Sequence, residues 1–256
     1  MSERKVGKKS SKRKKLLTRV VAAAAGVVIC VLAYLRYGYV PAPPAAGEGS
    51  MFANENLSAV FLGNGCTVAV IPLAVTDPAA DAATLTAHAR RFDVAVLTSC
   101  DDASVACADR LLSTATVKTL LVPRGLKKDE LNSLTSSYPG TAIVRMPFRK
   151  AVTAGEFAFY DAGSSSEMSL ALTHGTEKIL FAAHPCGGTY DAAFVSEGAL
   201  PGSSFTCPLV YSVAGADASA SKIKTVSVRS VSGSLSFFAD GQGVVAPLTL
   251  DGAFGN

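Results

Sequence analysis

Side chains able to do acid, base, nucleophilic or metal chemistry are scarce along this 256-residue chain. Three histidines, His88, His174 and His184, are its whole supply of imidazole, and its six cysteines include no C-x-x-C pair of the kind that makes a zinc knuckle or a dithiol redox centre. A catalytic metal needs three or more convergent donors to acidify a bound water. Asp101 and His184, with Cys66, Cys100 and Cys186, are the groups from which a single-metal site would have to be assembled. Cys100 beside His184 would instead give a thiolate and imidazolium pair; the plainer reading is an unreactive or disulfide-bonded cysteine. A serine nucleophile has less support, because no G-x-S-x-G string occurs, and neither a P-loop nor a G-x-G-x-x-G turn between strand and helix is present. His88 falls on a predicted surface helix and His174 precedes a turn at Gly175, so both are expected to face solvent or to cap structure.

The elements that must position these groups alternate in type. Val60–Leu62 and Thr67–Leu73 read as neighbouring strands joined at Gly63-Asn64-Gly65, a hairpin turn sequence. Asp77-Pro78 opens a helix over about 80–91, and a buried strand follows at 93–98. A helix at 104–114, a strand at 119–122, a helix at 128–136 with acids in its first turn, and a strand at 141–146 close this half. The second half is richer in strands, at 156–160, 168–173, 178–183, 208–213, 225–229 and 234–239, with helices expected at 187–195 and 219–222. Strands alternating with helices in both halves predict an αββα sandwich, two central sheets with helices outside; periodicity alone leaves a doubly wound single sheet open.

Charge divides the chain. Residues 1–19 hold nine Lys and Arg against one acid, Glu3, so a chain with net charge +4 has a remainder of −4. That acidic remainder argues against a groove that tracks phosphates, and nucleic acid is not expected as a partner. Sixteen apolar residues follow at Val20–Leu35, extending to Val40 if Arg36 reaches the interface, about one bilayer's worth of helix. Basic residues before the span hold the N-terminus in the cytoplasm, and tyrosines at its far end suit the interface. The prolines of the following PAPPAAGEGS favour a retained anchor over a cleaved signal peptide. The expected organisation is a basic cytoplasmic tail (1–19), a transmembrane helix (20–40), a Pro/Ala/Gly linker (41–54) and one extracytoplasmic domain (55–250), with the N-terminal helix binding the cell membrane.

Several motifs of that domain, in order, resemble the metallo-β-lactamase superfamily, and within it the hydrolase-like C-terminal domain of ComEC-type DNA-uptake proteins. Phe61-Leu62 leading into Gly63-Asn64-Gly65-Cys66 resembles the family's opening F-L-D-V-G-Q-G-D, and Asp77 its D-x-G element. Leu97 to Ser104 (LTSCDDAS) is similar to the strand ending in T-H-x-D-x-D-H or H-x-H-x-D-H, and Ile179 to His184 to the f-L-x-T-G-D strand. Leu200-Pro201-Gly202-Ser203 echoes the H-H-G-S loop. Val226–Arg229, Gly233-Ser234-Leu235 and Asp240-Gly241 match the closing strand, turn and D-G, so the likeness spans about 57–243.

The resemblance implies a two-metal hydrolase site, and the donors at its positions are replaced. Ser99 stands for the first histidine, Ala103 for the aspartate, Ser104 for the next histidine and His184 for the bridging aspartate, while Asp101 alone matches one variant. Serine is a poor zinc ligand and alanine offers no donor. The expected function is therefore a membrane-anchored pseudoenzyme of metallo-hydrolase type. It would hold no metal or other cofactor and would act as a binding or scaffold domain toward a protein partner. The alternative is a metal-dependent hydrolase or nuclease linked to DNA uptake. If Cys66 and Cys100 face each other across the former metal pocket, a disulfide would take the metal's place as a staple.

Overall fold

The computed structural model describes residues 49–53, 56–63, 65–147, 150–163, 168–196, 199, 203–212, 227–230, 235–239 and 245–249. All of them belong to the unit Ala42–Asn256. The basic tail at 1–19 and the expected span at 20–40 lie outside the described residues, and among the described residues no helix is long and apolar enough to cross a membrane.

β1 (Gly49–Ala53), β2 (Ala59–Leu62) and β3 (Thr67–Val70) pair antiparallel, after which β4 (Arg91–Val96), β5 (Thr116–Val122) and β6 (Ala142–Arg145) add in parallel. Parallel neighbours need a crossover. The helices α1 (Pro78–His88), α2 (Asp102–Thr114) and α3 (Lys128–Ser137) supply three of them. Their starts are encoded locally. Asp77 accepts the backbone N–H groups of Ala79 at 2.9 Å and Ala80 at 3.2 Å with Pro78 in the first turn, and α3 opens on Asp129 and Glu130, whose charge suits the positive end of the helix dipole. With β16 (Leu235–Ala239) and β17 (Val245–Thr249) these strands form an eight-stranded sheet in the order β17-β16-β1-β2-β3-β4-β5-β6.

The second sheet takes β7 (Val152–Ala154), β8 (Phe157–Asp161), β9 (Ser169–His174), β10 (Glu177–Ala182), β12 (Ala192–Val195), β14 (Leu209–Ser212) and β15 (Ser227–Ser230), in the order β15-β14-β12-β10-β9-β8-β7. β11 (Gly187–Thr189) and β13 (Ser204–Thr206) form a short parallel pair of their own. Strand side chains alternate between faces, and both faces are used. Phe61, Val68, Val70, Val94 and Leu121 of the first sheet meet Phe159, Leu170, Leu172, Ile179 and Phe181 of the second in one shared core. The opposite parity of the first sheet, with Val60, Ala69, Ala95 and Leu120, packs under Leu85, Leu111 and Leu134 of the three helices. The outer parity of the second sheet, with Leu180, Ala193 and Val210, is covered by Tyr190, Phe205 and Cys207.

This is a mixed α/β fold of two packed sheets with a helical layer on the first. The sequence-based expectation needs correction in two places. The helix expected at 187–195 is instead β11 and β12, because Ala192–Val195 pairs in parallel with β10 on one side and β14 on the other and is buried throughout. The segment read as linker, 41–54, contains β1, an interior strand between β2 and β16. The helix expected at 219–222 lies outside the described residues.

Candidate functional site

The exit of β4 is where the chemistry was expected. Leu97 donates to the Leu121 carbonyl at 2.9 Å, and the Thr98 carbonyl accepts the Met168 N–H at 3.1 Å, so the loop is tied to the start of β9 in the facing sheet. His184 follows β10 at this same end; its carbonyl accepts the Ser169 hydroxyl at 2.7 Å. Ser99, Asp101 and His184 are thus brought to one end of the sandwich, on either side of the β9 start.

Within the β4 loop the groups serve one another. Asp101 is the N-cap of α2: one carboxylate oxygen accepts the Ser104 N–H at 2.7 Å and the other the Ser104 hydroxyl, also at 2.7 Å. Ser99 is buried, and its hydroxyl accepts the Asp101 N–H at 3.4 Å. Ala103 lies in the first turn of α2 and contributes a methyl. Partial burial opposes ionisation of Asp101, but the hydrogen bonds from Ser99 and Ser104 outweigh it and hold its carboxyl below the usual 3.8. Its stabilising effect is therefore full above that value and lost as pH falls through the lower folded one. Asp101→Ala is expected to destabilise by about 1 kcal/mol, with Asp101→Ser recovering most of the loss, as for any capping residue. Equal loss in both variants by urea denaturation would mean that the carboxylate does something other than cap.

The cysteines do not gather here. Cys66 precedes β3 and Cys100 follows the parallel β4, so they stand at opposite ends of the sheet, and Cys66, Cys100, Cys107, Cys186 and Cys207 are all thiols. The expected Cys66–Cys100 disulfide is not formed. Cys100 packs with the helix layer, away from the second sheet. Burial pushes Cys66 and Cys186 up to about 11 and Cys107 up to about 12, values at which a thiol is a poor nucleophile near neutral pH.

Two residues at this end were missed from sequence. Arg124, after β5, pairs with Asp161, the last residue of β8, at 3.2 Å, joining the two sheets; the Asp161 side chain is 2% exposed. Asp161 also accepts the Gly163 N–H at 3.0 Å. Nothing local marks either residue, because they meet only when the sheets stack.

An open cavity of about 570 Å³ lies elsewhere, lined by Gly63, Cys66, Thr67, Asp93 and Lys118 among others. These residues belong to the starts of β3, β4 and β5, the end of the sheet opposite the Asp101 loop.

A comparison with protein-family models finds none that matches this chain, and a comparison with curated proteins finds no match. Among solved structures, the chain is similar to the metallo-β-lactamase fold protein YhfI from Bacillus subtilis, with TM-score 0.52 at 8% identity over 75% of this chain and 100% of that one. The chain has the metallo-β-lactamase fold. Weaker likenesses are to a CmlA β-hydroxylase variant (TM-score 0.49, 13% identity, 77% of this chain and 54% of that one). Another is to a metallo hydrolase from the hyperthermophilic archaeon Ignicoccus hospitalis (TM-score 0.44, 10% identity, 74% and 98%). Asp101 has both oxygens engaged by Ser104, the flanking positions are hydroxyls and a methyl, and among the described residues no three His, Cys, Asp or Glu side chains are grouped to hold an ion.

Proposed function

We propose that this chain is a membrane-anchored, extracytoplasmic domain of ComEC-related metallo-β-lactamase type that has lost its metal site and acts by binding or scaffolding a protein partner. The observation that carries the reading is the use made of Asp101. Of the five positions at issue, Ser99, Asp101, Ala103, Ser104 and His184, it alone keeps an acidic donor, and that carboxylate is spent on starting α2. The two hydrogen bonds from Ser104 fix the direction of that carboxylate, one to each oxygen, and tie it to the first turn of α2. The basic tail and the Val20–Leu35 run support the anchor.

Metal analysis of the full-length chain purified in detergent tests the central claim. The expected result is no tightly held zinc, iron or manganese and no shift in unfolding midpoint on adding zinc or a chelator. A ligand that binds the folded state at a hundred times its Kd stabilises by about 2.7 kcal/mol, so a real site has a visible thermal signature. Near-stoichiometric metal that resists dialysis would overturn the reading and restore the hydrolase, whose Asp101→Ala/His184→Ala double variant should then lose both metal and phosphodiesterase activity.

A further inference from the structure

The polar cluster that the fold buries most completely is at the other end of the sandwich. In β9 the alternation Leu170, Leu172, His174 places the imidazole on the inner face; in β10 the alternation Glu177, Ile179, Phe181 does the same for a carboxylate. His174 and Glu177 are register partners, and their side chains are 1% and 0% exposed. His174 Nδ1 lies 3.5 Å from Glu177 Oε2, and His174 Nε2 lies 3.5 Å from Glu156 Oε2, at the head of β8. The imidazole stacks on Phe157, with centroids 4.9 Å apart.

The first sheet accommodates this arrangement. A Cβ on Gly63 would fall 1.7 Å from Glu156 Oε1, so glycine is needed for the carboxylate to approach. The ionisable groups next outward are the Cys66 thiol, which feels both Glu156 and Asp93, and Lys118, which is paired with Asp93.

Two carboxylates and one imidazole enclosed in apolar surroundings balance best when the imidazole is charged, because a neutral ring would leave two anions facing each other out of reach of water. We propose that Glu156, His174 and Glu177 form a proton-operated latch: protonated His174 clamps the heads of β8 and β10 together, and loss of that proton loosens the β9–β10 turn and the wall behind Gly63. Gly63 also lines the 570 Å³ cavity, so the latch governs one wall of that space. Burial opposes the charged ring, but the two glutamates outweigh it and hold the imidazole above its ordinary 6.5. The stabilisation is thus complete below about that value and disappears as pH rises through the higher folded one.

Histidine titration by NMR on the full-length chain in detergent micelles tests this, with the His174 signal assigned by elimination using His88→Gln and His184→Gln. The expected result is a His174 midpoint above 6.5. Between 6.5 and that midpoint, resistance to urea should decline with rising pH by up to about tenfold in the unfolding equilibrium per pH unit, and below 6.5 it should be flat. Protection factors of the amides at residues 173–178, with the base-catalysed rise in intrinsic exchange divided out, should fall over the range of that decline. Glu177→Gln, which keeps the side chain's shape, should lower the midpoint and flatten the profile. A wild-type midpoint at or below 6.5, or a Glu177→Gln chain with an unchanged His174 titration, would overturn the latch.

Discussion

Phe181→Ala should destabilise the domain by about 3–5 kcal/mol, the range for truncating a buried aromatic side chain. Phe181 is fully buried at the centre of the shared core. Its ring stacks on Phe194 of the neighbouring strand at 5.0 Å, and Phe194 stacks in turn on Tyr211 at 5.0 Å, so three adjacent parallel strands share one aromatic row. Phe61, from the facing sheet, meets Phe181 edge-on at 6.1 Å. The truncation therefore removes contacts within a sheet and between sheets at once, and rigid strands on both sides prevent the gap from closing. Phe181→Leu, which keeps most of the volume, should lose a good deal less. Urea denaturation of the two variants checks the comparison; a loss below about 1.5 kcal/mol for alanine would mean that the sheets are not held together at this row.

Asp161→Ala should have the next largest effect, about 2–3 kcal/mol, below the range for breaking a fully buried ion pair because the Arg124 side chain keeps 29% exposure and can turn partly outward. Much of that figure is the cost of leaving a guanidinium enclosed without its counter-charge, and the Gly163 turn loses its acceptor as well. A double-mutant cycle separates these contributions. Arg124→Met combined with Asp161→Ala should cost clearly less than the sum of the two single changes, since no charge is then left behind. Strict additivity would show that the pair is an incidental contact. This ion pair stands at the same end of the sandwich as the Asp101 loop.

Much of the first sheet was legible in the sequence because its signals are local. Asp77-Pro78 marks the start of α1, the acids at 129 and 130 mark α3, and an apolar run such as Val94–Leu97 is the mark of a strand buried on both faces. The residue types at 99, 103 and 104, two serines and an alanine, were equally plain, since a residue's identity needs no coordinates. The second sheet was harder. Ala192-Ala193 has strong helix propensity, yet the segment is a strand, because its place between β10 and β14 was already set by pairing over longer distances.

His174 shows the boundary most clearly. Its neighbour Gly175, a turn signal, made the residue look as if it would face solvent or cap structure. The period-two alternation through Leu170 and Leu172 carried the opposite message, and the glutamates that balance it were silent until β8, β9 and β10 lay side by side. The sequence by itself determined which groups this protein can bring to bear and where most of its strands and helices begin. Only the tertiary structure decided that Arg124 meets Asp161 and that His174 is enclosed by two carboxylates. Each of those facts depends on which distant side chain fills the space opposite, a choice fixed by strand register and sheet stacking over tens of residues and by no local pattern.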